Sequence, residues 1–212
     1  MSKGIILYFC EENKSQTKMR YNLSEIIELI KNRRTIYPEN YTTRVVQRDI
    51  IEKLLTSAIW APTHGKTQPW RFKVFQDNGR LELSDHLAAA YKENFKGEDF
   101  NEIKFKKLKN RPLLSTAIIG VFMHRDENEK IPEIEEIEAV ACAVQNILLT
   151  ATAYGIGSFW STPKVLGSKY LNSYFKLGEK DKCLGLIYLG YTKEKWPNGQ
   201  RKPIEYVTQW IN

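Results

Sequence analysis

The segment from Pro132 to Tyr154 constrains the fold more than any other part of the chain. It is the longest helical pattern, and its second half, VACAVQNILLTATA, is apolar on nearly every face. A helix that is apolar all round has to be buried on most of its surface. Gly155 and Gly157 follow and are typical of a helix end. The sequence therefore predicts a long central helix on which other elements pack, with an apolar stripe formed by Val140, Val144, Ile147, Leu148 and Ala151.

Hydrophobic periodicity elsewhere predicts more helices than strands. Helical spacing, preceded in the first case by a capping-box pattern at Asn22 and Glu25, covers residues 21–34, 47–60, 84–94, 100–109 and 168–175. Strand patterns occur in WRFKVF, TAIIGVFM and CLGLIYLGY, and the tail alternates weakly in IEYVTQW. Because helices outnumber strands and the two do not alternate regularly, the sequence predicts an α+β fold with a central sheet and helices packed on it.

The length of 212 residues, without an internal repeat or clear linker, predicts a single domain over residues 21–212. We expect residues 1–20 to be a leader or disordered arm, with a secretory signal as the poorer alternative. No apolar run approaches the length of a membrane span, so we expect no membrane association. The three cysteines are far apart and form no C-x-x-C, which predicts a reducing, cytoplasmic location and core thiols at Cys142 and Cys183.

The net charge of +7 raises the question of a nucleic-acid partner. The densest basic run, Lys104 to Arg111, is balanced in the sequence by the acidic run Glu133 to Glu138. No nucleic-acid recognition motif occurs, and the aromatic residues are not spaced as stacking pairs on a sheet. We therefore interpret the basic run as a solvated helix face and expect no nucleic-acid partner. A basic protein also suits an anionic small ligand.

The residue types needed for acid–base or metal catalysis do not form a pattern. The three histidines, His64, His86 and His124, show no metal-ligand spacing, so we expect no metal site. No nucleophile motif occurs, and the G-x-G at Gly155 follows a helix rather than a strand, which does not support a dinucleotide fingerprint. Either the protein is not an enzyme, or a cofactor carries the chemistry and no side chain is catalytic.

Three short clusters remain as candidate binding segments. The first, Arg33-Arg34-Thr35, offers guanidinium groups and a hydroxyl to a phosphate, or is only a helix end that favours cations. The second, WAPTHGKTQPWRF, combines backbone-fixing prolines with Gly65 and the polar side chains of Thr63, His64, Lys66 and Gln68. It could hold a planar polar ligand, or be a structural loop with Trp60 and Trp70 in the core. The third, SFWST, is predicted to be a polar turn after the central helix.

Taken in order, these clusters resemble the FMN-dependent nitroreductase family. The family shows R-R-S after its first helix, where this chain has RRT, and A-P-S-x-x-N-x-Q-P-W-x-F after its second, where this chain has APTHGKTQPWRF. An apolar helix with a Q-N pair, a G-x-G and a tryptophan turn matches AVQNILLTATAYGIGSFWST. The strand GLIYLGY and the basic tail RKPIEYV complete a resemblance that runs from about Leu23 to Val207, closest to the short, minimal branch.

The resemblance implies a nitroreductase-like α+β sandwich, with a mostly antiparallel sheet, that forms an intertwined homodimer with two interfacial FMN sites. One subunit would hold FMN through Arg33, Arg34 and Thr35, with Arg201 of the tail on the phosphate. The loop of the other subunit would reach FMN through Thr63, His64 and Lys66, and Gln68 would brace that loop or touch the flavin. The ring or ribityl side would be lined by Trp160, Ser161 and Thr162.

The implied activity is an oxidoreductase that passes hydride from NADH or NADPH through FMN to a small acceptor, such as a nitroaromatic, a quinone or an activated alkene, in a ping-pong cycle. A non-catalytic flavin carrier or regulatory dimer is the alternative. Two residues depart from the family pattern. Lys66 replaces the loop asparagine, and its cation either stabilises reduced, anionic flavin or points to the phosphate or to solvent. Trp60 replaces a small or basic residue and could narrow the pocket.

Overall fold

The computed structural model describes residues 21–211. The helices are α1 (Leu23–Asn32), α2 (Arg48–Ala58), α3 (Asn78–Asn94), α4 (Glu102–Leu114), α5 (Glu133–Ala153) and α6 (Lys169–Tyr174). The strands are β1 (Trp70–Phe75), β2 (Ala117–Met123), β3 (Gly157–Ser161) and β4 (Lys182–Gly190). The predicted arm at residues 1–20 lies outside the described residues, so that prediction stays open.

The strands form one antiparallel sheet in the order β1-β2-β4-β3. β2 is buried along its whole length, as a central strand covered on both faces must be. The register of β2 and β4 shifts between Val121 and Phe122, opposite Gly185, whose φ of 138° a residue with a side chain rarely adopts. The predicted α+β fold with an antiparallel sheet is confirmed.

Helices cover both faces of this sheet and create two separate apolar cores. One face packs against α2 and α5, through residues such as Leu54, Val144 and Ile187. The other packs against α3, α4 and α6, through residues such as Leu87 and Phe175. The resulting layers are helix, sheet and helix, with β3 at one edge.

The long helix is confirmed at the position and length that its pattern predicts. Residues that face the sheet and α2, including Val140, Val144 and Ile147, are fully buried. Tyr154 caps the helix, and Gly155 turns the chain with a left-handed φ of 67°. α5 is thus the fixed axis from which the positions of the candidate binding segments can be described.

Three predicted elements differ from the structure. SFWST is not a turn, because residues 157–161 pair with β4 as the edge strand β3. α3 begins at Asn78, six residues before the predicted start at Ser84, since the polar first turn hides its helical period. The weak alternation at IEYVTQW is not a strand, and residues 204–206 form a single 3₁₀ turn.

Two side-chain predictions also need correction. Cys142 lies on an exposed face of α5 rather than in the core, whereas Cys183 is partly buried, and burial raises the pKa of its thiol to about 11. The acidic run does not neutralise the basic run. Instead, three of its glutamates contact other segments. Glu133 pairs with Lys182 at 2.5 Å. Glu135 contacts His64, and Glu136 pairs with Arg125.

Candidate functional site

The end of α1 places two arginines beside the chain's tail. Arg33 caps the helix with an N–H that donates to the Leu29 carbonyl. Arg34 Nη1 donates to the Arg33 carbonyl at 2.6 Å, while Arg34 Nε is buried with no hydrogen-bond partner in residues 21–211. A buried guanidinium nitrogen without an acceptor is costly unless a ligand supplies one. The Arg34 geometry therefore suits an anion bound at this helix end.

The tail is fixed against the same helix end by two contacts. Trp196 Nε1 donates to the Asn32 carbonyl at 2.6 Å. Gly199 lies against Arg34 so closely that an added Cβ would be 1.9 Å from Arg34 Nη2. These residues, with Thr152 and Gly155 at the end of α5, line a cleft of about 590 Å³. No sequence pattern singles out the segment W-P-N-G, although its tryptophan and proline are typical of a docked segment.

The docked tail brings Arg201 close to Arg33 in the same chain. The pKa of Arg33 is lowered by burial first, and then by the positive charges of Arg201 and Arg34. Across residues 21–211, none of these three arginines forms an ion pair with a carboxylate. A phosphate dianion bound between them would relieve their mutual repulsion, since guanidinium and phosphate oxygens pair bidentately.

Thr35 carries the chain from the arginines to the edge of the sheet. It bridges to Ser158 in a parallel arrangement, and the Ile36 N–H donates to the Ser158 carbonyl at 3.0 Å. The buried Ser158 hydroxyl has no hydrogen-bond partner in the described part of the chain. Sequence reasoning missed this orphan hydroxyl because it assigned the segment to a turn.

β3 leads from this point along the sheet edge to the remaining predicted residues. Trp160 Nε1 donates to the Leu184 carbonyl at 3.0 Å, and its close approach requires a glycine at 185. Ser161 and Thr162 follow at the end of the strand, where they line a second cavity. Trp160 is thereby held rigidly, while Ser161 and Thr162 keep their hydroxyls available to a ligand.

The loop of residues 63–68 has an unusual backbone. Gly65, Lys66 and Gln68 all have left-handed φ values, of 58°, 57° and 45°. For residues with side chains this conformation costs about 1–3 kcal/mol and is common at binding sites. The loop is held by Thr63 Oγ1, which accepts from the Gln68 N–H at 3.1 Å. The Gln68 side chain is exposed, and whether it braces the loop or touches the flavin stays a prediction.

The same loop is tied to the start of α5. His64 Nδ1 lies 2.5 Å from Glu135 Oε2, within hydrogen-bonding distance. Gly65 faces Ile131, 3.4 Å from where a Cβ would lie. Trp70 is buried and anchors the loop as predicted, but Trp60 is 82% exposed, so its predicted place as a core anchor is wrong.

The predicted residues fall into two groups at opposite ends of α5. The arginine cleft includes Thr152 and Gly155 at the carboxyl end, whereas the loop contacts Glu135 at the amino end. A helix of 21 residues is about 31 Å long, at 1.5 Å per residue. A single chain therefore does not bring Thr63, His64, Lys66 and Gln68 to the arginines.

The chemistry available at these segments is binding rather than acid–base catalysis. Arg33, Arg34 and Arg201 offer cations that have no carboxylate partner in residues 21–211, and such cations fit the phosphate group of a flavin nucleotide. In residues 21–211 no cluster of histidine, cysteine and carboxylate side chains could hold a metal ion. No helix of the same residues is long and apolar enough to cross a membrane.

Comparisons with known proteins agree with the resemblance seen in the sequence. The family model described as Nitroreductase family matches residues 30–191. The Bacillus subtilis protein named "Putative NAD(P)H nitroreductase YfhC" is 30% identical over 190 residues, which cover 89% of this chain and 95% of that protein.

Solved structures show the same fold. A nitroreductase-like family protein from Bacillus cereus superimposes with a TM-score of 0.77 at 27% identity, covering 91% of this chain and 98% of the other. A Desulfovibrio desulfuricans nitroreductase structure in complex with FMN gives a TM-score of 0.68 at 24% identity, covering 91% and 99%.

Proposed function

The chain belongs to the nitroreductase family, an oxidoreductase family, and from this premise we propose that it is an FMN-dependent, NAD(P)H-oxidising enzyme of the cytoplasm. One observation carries the proposal. Arg33, Arg34 and Arg201 lie close enough for their positive charges to interact, and none of them pairs with a carboxylate in residues 21–211. This arrangement is costly in an empty protein and would be relieved by a ligand that carries a phosphate.

We propose that two copies of the chain complete each site. The apolar face of α1 has no cover in the described chain, and Leu23, Ile26, Ile27 and Ile30 are exposed. The tail beyond residue 203 is likewise exposed and rich in large apolar residues, including Tyr206 and Trp210. Apolar patches of this kind mark protein interfaces. A homodimer would cover them and bring the loop of one copy to the arginines of the other.

Each part of the proposed site has a separate task toward the cofactor. Arg33, Arg34 and Arg201 would neutralise the phosphate, and Thr35 would hold the ribityl chain. The loop at Thr63–Gln68 would contact the ring from the second subunit, where the Lys66 cation would favour the reduced, anionic form. When bound, FMN supplies the two-electron chemistry itself.

We propose that NAD(P)H and the acceptor occupy the same place beside the flavin in turn. Bound FMN would supply the transfer of a hydride equivalent from NAD(P)H to the acceptor, and Arg33, Arg34 and Thr35 would hold the FMN so that its ring is open to each substrate in turn. Positioning of the two substrates, without a catalytic side chain, would supply the rate enhancement. Nitroaromatics, quinones and activated alkenes are the acceptor classes to test.

Removal of one guanidinium tests the phosphate assignment. Arg33→Ala should weaken FMN binding by about tenfold or more, since a hydrogen bond to a charged group is worth about 1.5–3 kcal/mol. The matched control is Arg48→Ala, which removes an exposed arginine paired with Glu52 on α2. FMN fluorescence titration of the apoprotein measures both. Equal affinities in the Arg33→Ala variant and the wild type would refute the assignment.

A spectrum of the purified protein tests the enzymatic proposal independently. A flavin spectrum that bleaches when NADPH is added without oxygen, and returns when an acceptor follows, supports the oxidoreductase. A flavin spectrum that neither NADPH nor NADH bleaches would instead fit the carrier alternative. A colourless protein that takes up no added FMN would contradict both.

A further inference from the structure

A second cavity lies on the other face of the sheet from α5. Its volume is about 530 Å³, within the range of small-ligand sites. It lies between α3, α4 and the segment that follows β3, and Ser161 and Thr162 form one of its edges. Because side chains alternate along a strand, Ser161 faces the same side as Phe159, which packs in the core formed with α3 and α4.

The basic run of the sequence provides the charged wall of this cavity. Lys104, Lys107 and Arg111 lie at positions i, i+3 and i+7 of α4, on the same face as the buried Leu108. Lys104 and Lys107 are exposed, as a solvated helix face requires, and they also border the cavity. Lys164 adds a fourth cation, from the segment after β3.

Most of this charge has no neutralising partner. Arg111 Nε donates to Glu39 Oε1 at 2.9 Å, but within residues 21–211 neither Lys104, Lys107 nor Lys164 forms an ion pair. Asp99 is the acidic residue at the cavity wall. Three unpaired lysines against one carboxylate leave the cavity positive, which favours an anionic ligand.

The floor of the cavity is aromatic. Tyr91 stacks on Phe95 with the ring centroids 4.7 Å apart, and Tyr188 stacks on Phe159 with the ring centroids 5.9 Å apart. Tyr188 is only 1% exposed and lines the cavity. Burial raises the pKa of its phenol above the ordinary value, so the group stays neutral and adds no negative charge to the cavity wall.

We infer that this cavity binds an aromatic anion, with the ring on the aromatic floor and the anionic group beside Lys104 and Lys107. The inference rests on the proposed function, since the shared residues Ser161 and Thr162 would place such a molecule next to the flavin as the acceptor. It assigns the acceptor class as aromatic compounds that carry a carboxylate or a similar acidic group, rather than neutral quinones.

Equilibrium binding to the FMN-loaded protein tests this without relying on turnover. The probes are 4-nitrobenzoate and its neutral analogue 4-nitrobenzamide, titrated by calorimetry at low and high salt. We expect 4-nitrobenzoate to bind more tightly at low salt, and Lys104→Gln/Lys107→Gln to weaken its binding by about fivefold, the effect of partly screened charges. Binding of 4-nitrobenzamide should not change.

The matched control is Lys106→Gln, on the same helix, because Lys106 pairs with Glu102 and does not line the cavity. Equal binding of the two probes, or equal effects of the control and the double variant, would overturn the inference. If both compounds are reduced but Lys104→Gln/Lys107→Gln does not weaken the binding of 4-nitrobenzoate, the inference fails and the proposed function stands. If 4-nitrobenzoate binds through the lysines but NAD(P)H does not bleach the flavin, the proposed function fails, and only the binding of an aromatic anion in this cavity stands.

Discussion

Gly199 determines where the Arg34 guanidinium can lie, because an added Cβ would be 1.9 Å from Nη2 and 2.2 Å from Cζ. These atoms are at the end of a flexible side chain, so Gly199→Ala should displace Arg34 rather than unfold the tail. We expect the melting temperature to stay the same and FMN affinity to fall about tenfold. Gly167→Ala is the control, because no atom lies within 4 Å of its added Cβ. Unchanged FMN affinity in Gly199→Ala would contradict the proposed role of Arg34.

At the residue scale, the sequence predicted the three arginines as binding residues, but it did not predict the packing contacts that position their side chains. Arg33 and Arg34 stand in a recognisable order with the loop and the tail, so their proximity to Arg201 was foreseeable. Gly199 and the orphan hydroxyl of Ser158 matter only through packing between distant segments. Trp60 shows the opposite error, since its hydrophobicity predicts burial and the chain exposes it.

At the element scale, the junction of β2, β4 and α5 should give the protein an acid-sensitive component of stability. Burial alone would raise the pKa of the Asp181 carboxyl, but the N–H groups of Gly178 and Arg125, together with His124, outweigh it and lower the pKa. A lowered pKa in the folded state stabilises the fold above the unfolded pKa of about 3.9, and this contribution is lost as the pH falls further. The free energy of unfolding of the wild type should therefore exceed that of Asp181→Asn by more at pH 6 than at pH 3. Urea titrations at both values, with the exposed Asp85→Asn as control, measure this, and a pH-independent difference would contradict it.

The helices and strands were predicted correctly where a single hydrophobic repeat runs through a long segment. They were predicted wrongly in short segments that have no clear repeat. α5 was predicted in place because its apolar faces repeat over many turns. β3 was missed because its five residues begin at a glycine and place two adjacent aromatic residues between two serines, since Trp160 packs on one core and Phe159 on the other. The two-core architecture itself follows from strands that are apolar on both faces, as β2 is.

At the scale of the whole molecule, the separation of the loop and the arginines by the length of α5 supports the proposal that each site is built from two chains. A mixed dimer tests this directly. Arg33→Ala disables the arginine cleft, and Lys66→Glu reverses the charge of the loop, so each homodimer should bind FMN poorly. When the two variants are co-expressed with different tags and purified through both, each mixed dimer contains one site with both defects and one with neither. We therefore expect the mixed dimer to bind one FMN with wild-type affinity, measured by flavin absorbance per dimer. If the loop and the arginines act within one chain, both sites of the mixed dimer stay defective, and mixing restores nothing.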